Sequence, residues 1–356
     1  MTRTTLALGV LCVAASAACS DARTPVHPAG AARDVAALAV PAGAPVASGP
    51  EMDYQSSLLR VQPAGTLMMA IERLNPATLS GDLYLATSAD GGATWTAPRL
   101  VVGTAMNERH PALVQLASGG FALFYLADQG GGAYRIHRAT SPDGVAWTRH
   151  GAVNLGWRTA GEINPAVIVE SGGALTMTYH RSGGPAYIAR STDGGATWDT
   201  RRTGITKTAA MLPRVAKRQT DGRYLVTYQV SGAGGAIQLF AETSADPYAW
   251  NGTAVQVSPN SNDHDAQPIV LEDGTFFLAY AQSVAGTQYN LVYRRSPDGA
   301  AWGPAVQLTD DPDLADIQPH PVLHGTPGHV VMAWTRQKTA GTNDYDIWVN
   351  PDLAVQ

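Results

Sequence analysis

The side chains of this chain that could do chemistry sit in a few short stretches. Asp53, Glu162 and Asp265 supply carboxylates, and Arg73, Arg109, Arg181 and Arg336 supply guanidinium groups. His110, His264 and His320 supply imidazoles, with Tyr54 and Gln318 among them. Two carboxylates facing one sugar are the minimum for glycoside hydrolysis, one as acid and one as nucleophile or base. Converging arginines would clamp a carboxylate or sulfate group. The imidazoles, Tyr54 and Gln318 would orient the rest of the substrate. The same set allows a second chemistry, in which His110 or Tyr54 takes the proton beside a uronate carboxylate neutralised by arginine, as in a polysaccharide lyase. It also suits a third reading, a surface protein that binds glycans without turnover. None of the histidines has metal-ligand spacing such as H-x-x-x-H, so no metal is assigned and no cofactor is expected. Asp263 and Asp265, flanking His264, are the one place where a structural Ca²⁺ would fit the pattern.

Residues this far apart can meet only if the fold is repetitive, and the sequence carries a repeat. Ser191-Thr192-Asp193-Gly194-Gly195-Ala196-Thr197-Trp198 has the form S-x-D-G-G-x-T-W, and Ser88 to Trp95 repeats it without a mismatch. Shorter copies run from Ser141 to Trp147 and from Ser296 to Trp302, and a worn copy runs from Ser244 to Trp250. The aspartates fall at 90, 143, 193, 246 and 298, at steps of 53, 50, 53 and 52 residues. A period of that size marks a repeat architecture. Each unit reads as four short strands separated by Gly-rich turns, the pattern of a β-propeller blade. The expected fold is therefore all-β: six four-stranded antiparallel blades over residues 45–356.

The last unit stops one strand short at Gln356, whereas the first has residues to spare. A strand from residues 35–48 is expected to complete the last blade and remove its open edge. The box itself reads as a scaffold device: its Asp accepts turn amides, its glycines permit positive φ and its Trp packs. If the box turn is the bottom of each blade, the starts of the first strands and the ends of the second strands share the top. First strands are read as beginning at Pro111, Pro165, Pro213, Pro268 and Pro321. That places all the chemistry-bearing residues named above on one funnel around the axis. A large residue repeated in the second strands (Ile71, Tyr125, Tyr179, Tyr228, Tyr280, Trp334) is read as blade-to-blade core.

The ends carry their own signals. Arg3, an apolar stretch from Leu6 to Ala18, and Ser16-Ala17-Ala18-Cys19 read as a signal segment over residues 1–19, with Cys19 as a candidate lipidated residue. Residues 20–44, rich in Ala and Pro, read as a tether. The expected protein is exported, as a bacterial cell-envelope lipoprotein or in secreted or periplasmic form, touching the membrane only through the lipid. Cys12 falls inside the leader, so the mature domain is expected to hold no disulfide. A net charge of −5 without a dense Lys/Arg run argues against nucleic acid. The partner expected is a glycan, met by a monomer.

Repeated S-x-D-x-G-x-T-W boxes on about six blades resemble the sialidase (neuraminidase) superfamily, over residues 45–356. The resemblance implies an exported carbohydrate-active enzyme of the glycoside hydrolase class, acting on an anionic or polar sugar. It implies three arginines on the sugar carboxylate, a tyrosine nucleophile paired with a glutamate, and an aspartate as acid/base. Arg181, in Tyr179-His180-Arg181-Ser182 ahead of a full box, is similar to the second arginine, and Glu162 lies near the place of the paired glutamate. Tyr54 and Ser56 stand where the first arginine and its proline belong, and Asp316-Ile317 open the sixth blade where the tyrosine belongs.

Overall fold

A computed structural model describes residues 43–355 except 48, 129, 207–208, 233–234, 260–261 and 286–287. The expected leader, Cys12, Cys19 and the tether up to residue 42 lie outside the described residues. Six antiparallel sheets of four strands each surround one axis. Their innermost strands are Met52–Arg60, Glu108–Gln115, Glu162–Val169, Met211–Lys217, His264–Val270 and Asp316–Leu323. The fold is the expected six-bladed propeller, and its closure is the expected one. Ala44–Pro45 pairs with the last strand, Tyr345–Ala354, setting Ala44 opposite Val349 and Pro45 opposite Trp348.

The register of the inner strands differs from the sequence reading. Ahead of the proposed strand starts, the chain is already strand. In five blades it carries a two-residue bulge, as between Arg109 and Ala112 or between Ile317 and His320. In blade five the bulge is Asp265-Ala266 and in blade six Gln318-Pro319, so the strands do not begin at Pro268 and Pro321. The first residue of each of these bulges has positive φ: His110 at 51°, Asn164 at 54°, Leu212 at 47°, Asp265 at 56° and Gln318 at 53°. In four of the five, proline follows and has no N–H to leave unpaired. A bulge re-aims a side chain, and a non-glycine residue in this region costs conformational energy that the surrounding structure must hold. The device, present in five of the six blades, thus turns one side chain per bulge out of the strand ladder.

The blades are joined by apolar packing. Ile71, Tyr125, Tyr179, Tyr228, Tyr280 and Trp334 are all buried, as the repeat required. The boxes sit at the opposite end and link each blade to the one before. In the Ser191 box, Asp193 accepts the amide of Thr197 at 2.9 Å and its hydroxyl at 2.6 Å, while Gly195 N donates to Ser191 Oγ at 2.9 Å. Trp198 Nε1 closes the turn on Gly195 O at 3.1 Å, and its ring meets Phe124 of blade two edge-on at 5.5 Å. Gly195 has φ +83°, and a Cβ there would lie 2.4 Å from Phe124 Cζ. The glycine is required twice, by its backbone and by its neighbour. A charged pin adds to the bottom of blades three and four. Buried Glu170 accepts from Arg190 at 2.9 Å, Lys217 at 2.6 Å and Tyr224 at 2.8 Å. Those donors outweigh its burial and hold its carboxyl down at about 2.

Candidate functional site

A central channel of about 680 Å³ runs between the inner strands. At its upper mouth stand His110, Asp265, Gln318 and His320, and the polar residues at its lower end include Gln62, Gln115 and Gln219. The bulges explain the upper set, since they turn His110, Asp265 and Gln318 toward the axis from three different blades. Arg214 joins them, one residue past the bulge of blade four. Its Nη1 donates to the carbonyl of Pro213 at 3.3 Å, burial lowers its pKa to about 10, and the carboxylate of Asp265 opposes that shift.

Two imidazoles, His110 and His320, line this space, and a third, His180, lies close enough to feel Arg214. His110 is held well below its ordinary value by burial, then by Arg109 and Arg214. His180 is lowered to about 3 and His320 to about 4, chiefly by burial and then by Arg214. All three are therefore neutral at pH 7. Each neutral ring offers one donor and one acceptor, the pair that a sugar hydroxyl complements. Both ring nitrogens of His110, Nδ1 of His180 and Oδ1 of Asn164 are buried without a hydrogen-bond partner. Buried polar atoms in native folds nearly always have partners, so a group of orphans on two adjoining blades is a place for water or a ligand.

Asp265 is placed by two contacts: its Oδ2 meets His264 Nδ1 at 2.8 Å, and its amide donates to Gln229 Oε1 at 3.2 Å. His264 in turn lies against Tyr289, with ring centroids 4.3 Å apart. Tyr54 and Tyr345 meet edge-on at 5.4 Å, and both phenols feel the charge of Asp265, which adds to burial in raising them. The chain thus brings a tyrosine of blade six to the mouth from its third strand rather than from the first.

The arginines do not form a free clamp. Arg73 is held by Asp53 in a two-pronged pair, Nε to Oδ1 at 2.7 Å and Nη2 to Oδ2 at 2.9 Å. Arg336 is paired with Asp311, and with Asp316 at 3.6 Å. Arg181 lies 3.6 Å from Glu162, and its other donors go to Thr159 and to the Ala160 carbonyl. In blades one, three and six the acid and arginine stand directly opposite in the same hairpin. Arg109 forms a fully buried pair with Glu72, whose second oxygen accepts the His110 amide at 2.8 Å. That bond fixes the His110 bulge to the neighbouring blade.

Glu162 lies off the axis, beside Arg135 at 3.2 Å, and its Oε2 is buried without a partner. Burial raises its pKa, against the pull of both arginines. Arg181 covers the ring of Trp157 at 4.3 Å, and Trp157 Nε1 donates to Tyr179 at 3.1 Å, so this aromatic group supports the arginine. Asp316 is a second raised acid, at about 6, because burial outweighs Arg336 and its hydrogen bonds. Asp263 turns away from Asp265, toward Ser258 and the Ser283 amide. Among the described residues no group of three or more His, Cys, Asp or Glu is placed to hold a metal ion.

Sequence reasoning thus placed His110, Asp265, Gln318 and His320 on the channel, and set Tyr54 and His264 beside them. Arg214, His180 and Tyr345 were missed. Arg214 carried a signal, because a lone arginine inside a predicted inner strand must point into either a channel or a blade interface. His180 was overlooked because Arg181 beside it drew the attention, although strand alternation aims the two oppositely.

Residues 45–345 match the family described as BNR repeat-like domain. No curated protein matches the chain at sequence level. Among solved structures, a sialidase of Streptococcus pneumoniae is 10% identical with a TM-score of 0.67, the match covering 87% of this chain and 70% of that one. An α-L-arabinofuranosidase of Fusarium graminearum is 17% identical with a TM-score of 0.63, covering 84% and 93%. An α-L-arabinanase of Penicillium chrysogenum, solved with arabinobiose, is 15% identical with a TM-score of 0.62, covering 89% and 99%. At these identities the likeness is one of fold.

Proposed function

This chain belongs to the BNR repeat-like domain family, and on that premise we propose that it is a glycoside hydrolase whose site is the upper mouth of the central channel. The observation that carries this is the buried imidazole of His110, which lines this mouth with Arg214 and Asp265 and has no partner on either ring nitrogen, together with the orphaned Nδ1 of His180 and Oδ1 of Asn164 in the adjoining blade. The names of the fold relatives, a sialidase, an arabinofuranosidase and an arabinanase, point the same way.

In this reading Asp265 is the nucleophile or base, held in its bulge by His264 and Gln229. Glu162, with a raised pKa and a free oxygen, is the acid that protonates the leaving group. Asp53 serves as the anchor of Arg73, since both of its oxygens are taken. The test is release of reducing ends from a panel of arabino-oligosaccharides, galacto-oligosaccharides and sialyl-oligosaccharides. Glu162→Gln and Asp265→Asn are each expected to lower turnover by about 10²-fold or more while the far-ultraviolet spectrum stays unchanged. Unchanged turnover in both variants refutes the assignment.

A second reading is a glycan-binding propeller without turnover. It is favoured by the engagement of Asp53, which leaves Asp265 as the acid on the upper channel. Binding of a glycan with no product from any substrate would select it. Export with a lipid on Cys19 completes the proposal and rests on the leader sequence alone. Replacing Cys19 by Ala should then move the protein from the membrane fraction to the soluble one.

A further inference from the structure

The charge at the mouth specifies the kind of sugar. Each arginine that could have clamped a carboxylate is committed elsewhere: Arg73 to Asp53, Arg181 to Glu162, Arg336 to Asp311 and Asp316, and Arg109 to Glu72. Among the described residues that line the upper mouth, Arg214 is the cation and Asp265 its counter-charge, whereas Arg60, Lys217 and Arg218 line the channel toward its lower end. The remaining polar groups named on that mouth are neutral, the rings of His110 and His320 with the amide of Gln318, and the orphaned atoms of His180 and Asn164 in the adjoining blade are neutral as well. An entering carboxylate would meet Asp265 in a site of low dielectric, where a like charge is costly. Sugar hydroxyls would meet donors and acceptors already buried and unfilled.

We infer that the upper channel mouth is a specificity site for a neutral, hydroxyl-rich glycan and excludes carboxylated sugars, with the Arg214–Asp265 pair as the discriminating element. This rests on the reading of the mouth as the glycan site and is independent of whether bond cleavage follows. It narrows the anionic-or-polar substrate class expected from the sequence.

The test reads binding, not turnover. Titration calorimetry with arabinotriose, galactotriose, 3′-sialyllactose and digalacturonate on the full chain should show a neutral probe bound at least ten-fold tighter than either acidic one. Acidic probes bound as tightly or more tightly overturn the inference, and so does a folded protein that binds none of the four. A binding-only protein would fail the turnover assay and still pass this one, so the two failures are distinguishable. Two variants add a sharper arm. Asn tolerates positive φ well, so Asp265→Asn keeps the bulge while leaving Arg214 uncompensated. It is expected to gain at least ten-fold in affinity for 3′-sialyllactose or digalacturonate. Arg214→Met is expected to lose neutral-probe binding without that gain. Unchanged selectivity in Asp265→Asn, with the fold intact by circular dichroism, refutes the role of the pair.

Discussion

Removing the charge of Glu72 is the most informative perturbation of the site's framework. Glu72 and Arg109 are 0% and 1% exposed, and Glu72 also accepts the amide of His110 at 2.8 Å. In Glu72→Met the guanidinium is left buried without its partner, which costs about 3–5 kcal/mol. The double variant Glu72→Met/Arg109→Met removes both charges and leaves only the His110 amide unpaired. Its cost should be about 1–3 kcal/mol, the penalty for one orphaned buried donor. The double variant is therefore expected to be more stable than Glu72→Met by about 2 kcal/mol, so the two single losses should be strongly non-additive. Urea denaturation followed by tryptophan fluorescence and circular dichroism measures all four corners of the cycle. A loss below about 1 kcal/mol in Glu72→Met, or additive losses, would show that the pair is not the buried lock described. Because the same carboxylate fixes the His110 bulge, both variants should also bind neutral probes more weakly.

Three further expectations follow from the packing and the titrating groups. Gly195→Ala puts a Cβ 2.4 Å from Phe124 Cζ at a φ of +83°, and should destabilise by about 1–3 kcal/mol in the same denaturation assay. Glu170→Gln weakens the pin on Arg190, Lys217 and Tyr224. Because the Glu170 carboxyl titrates near 2 in the fold, its contribution is present above the ordinary 4.5 and lost as pH falls toward 2, so wild type and variant should converge in stability near pH 2. His180 is depressed from 6.5 to about 3, so the unfolded chain binds a proton between those values that the native state does not. Its stabilisation is complete above 6.5 and is lost as pH falls, at about 1.4 kcal/mol per pH unit in mid-range. His180→Gln should flatten the stability profile of the protein there by that amount. Asp316, raised to about 6, acts in the opposite sense and is common to both proteins.

Much of the fold was legible because its spacing signal is long-range and repeated. Five boxes set the blade period, and the missing strand after Val349 announced the closure found at Ala44–Pro45. The inner-strand register was less legible. Proline marks the bulge in blades two, three, four and six, but blade five has Ala266 there, and blade six offers both Pro319 and Pro321. A prolyl ruler therefore slipped by two residues in the last two blades. The arginines were misleading for a physical reason. A position at the end of a second strand faces the start of the first strand in its own hairpin, so Arg73, Arg181 and Arg336 find Asp53, Glu162 and Asp316 before they find a ligand. The unpartnered imidazoles were invisible because neutrality and lack of partners come from burial, which no local pattern encodes.

The proposal that a neutral glycan is bound and cut at the upper channel mouth meets its sharpest test in a crystal structure of the Asp265→Asn variant soaked with an oligosaccharide that the wild type cleaves. A sugar ring is expected over the bulges of blades two, five and six, its hydroxyls on His110, Gln318 and Arg214 and its scissile oxygen facing residue 265. A sugar seated at the lower channel end or on an outer strand, with the upper mouth vacant, would contradict it.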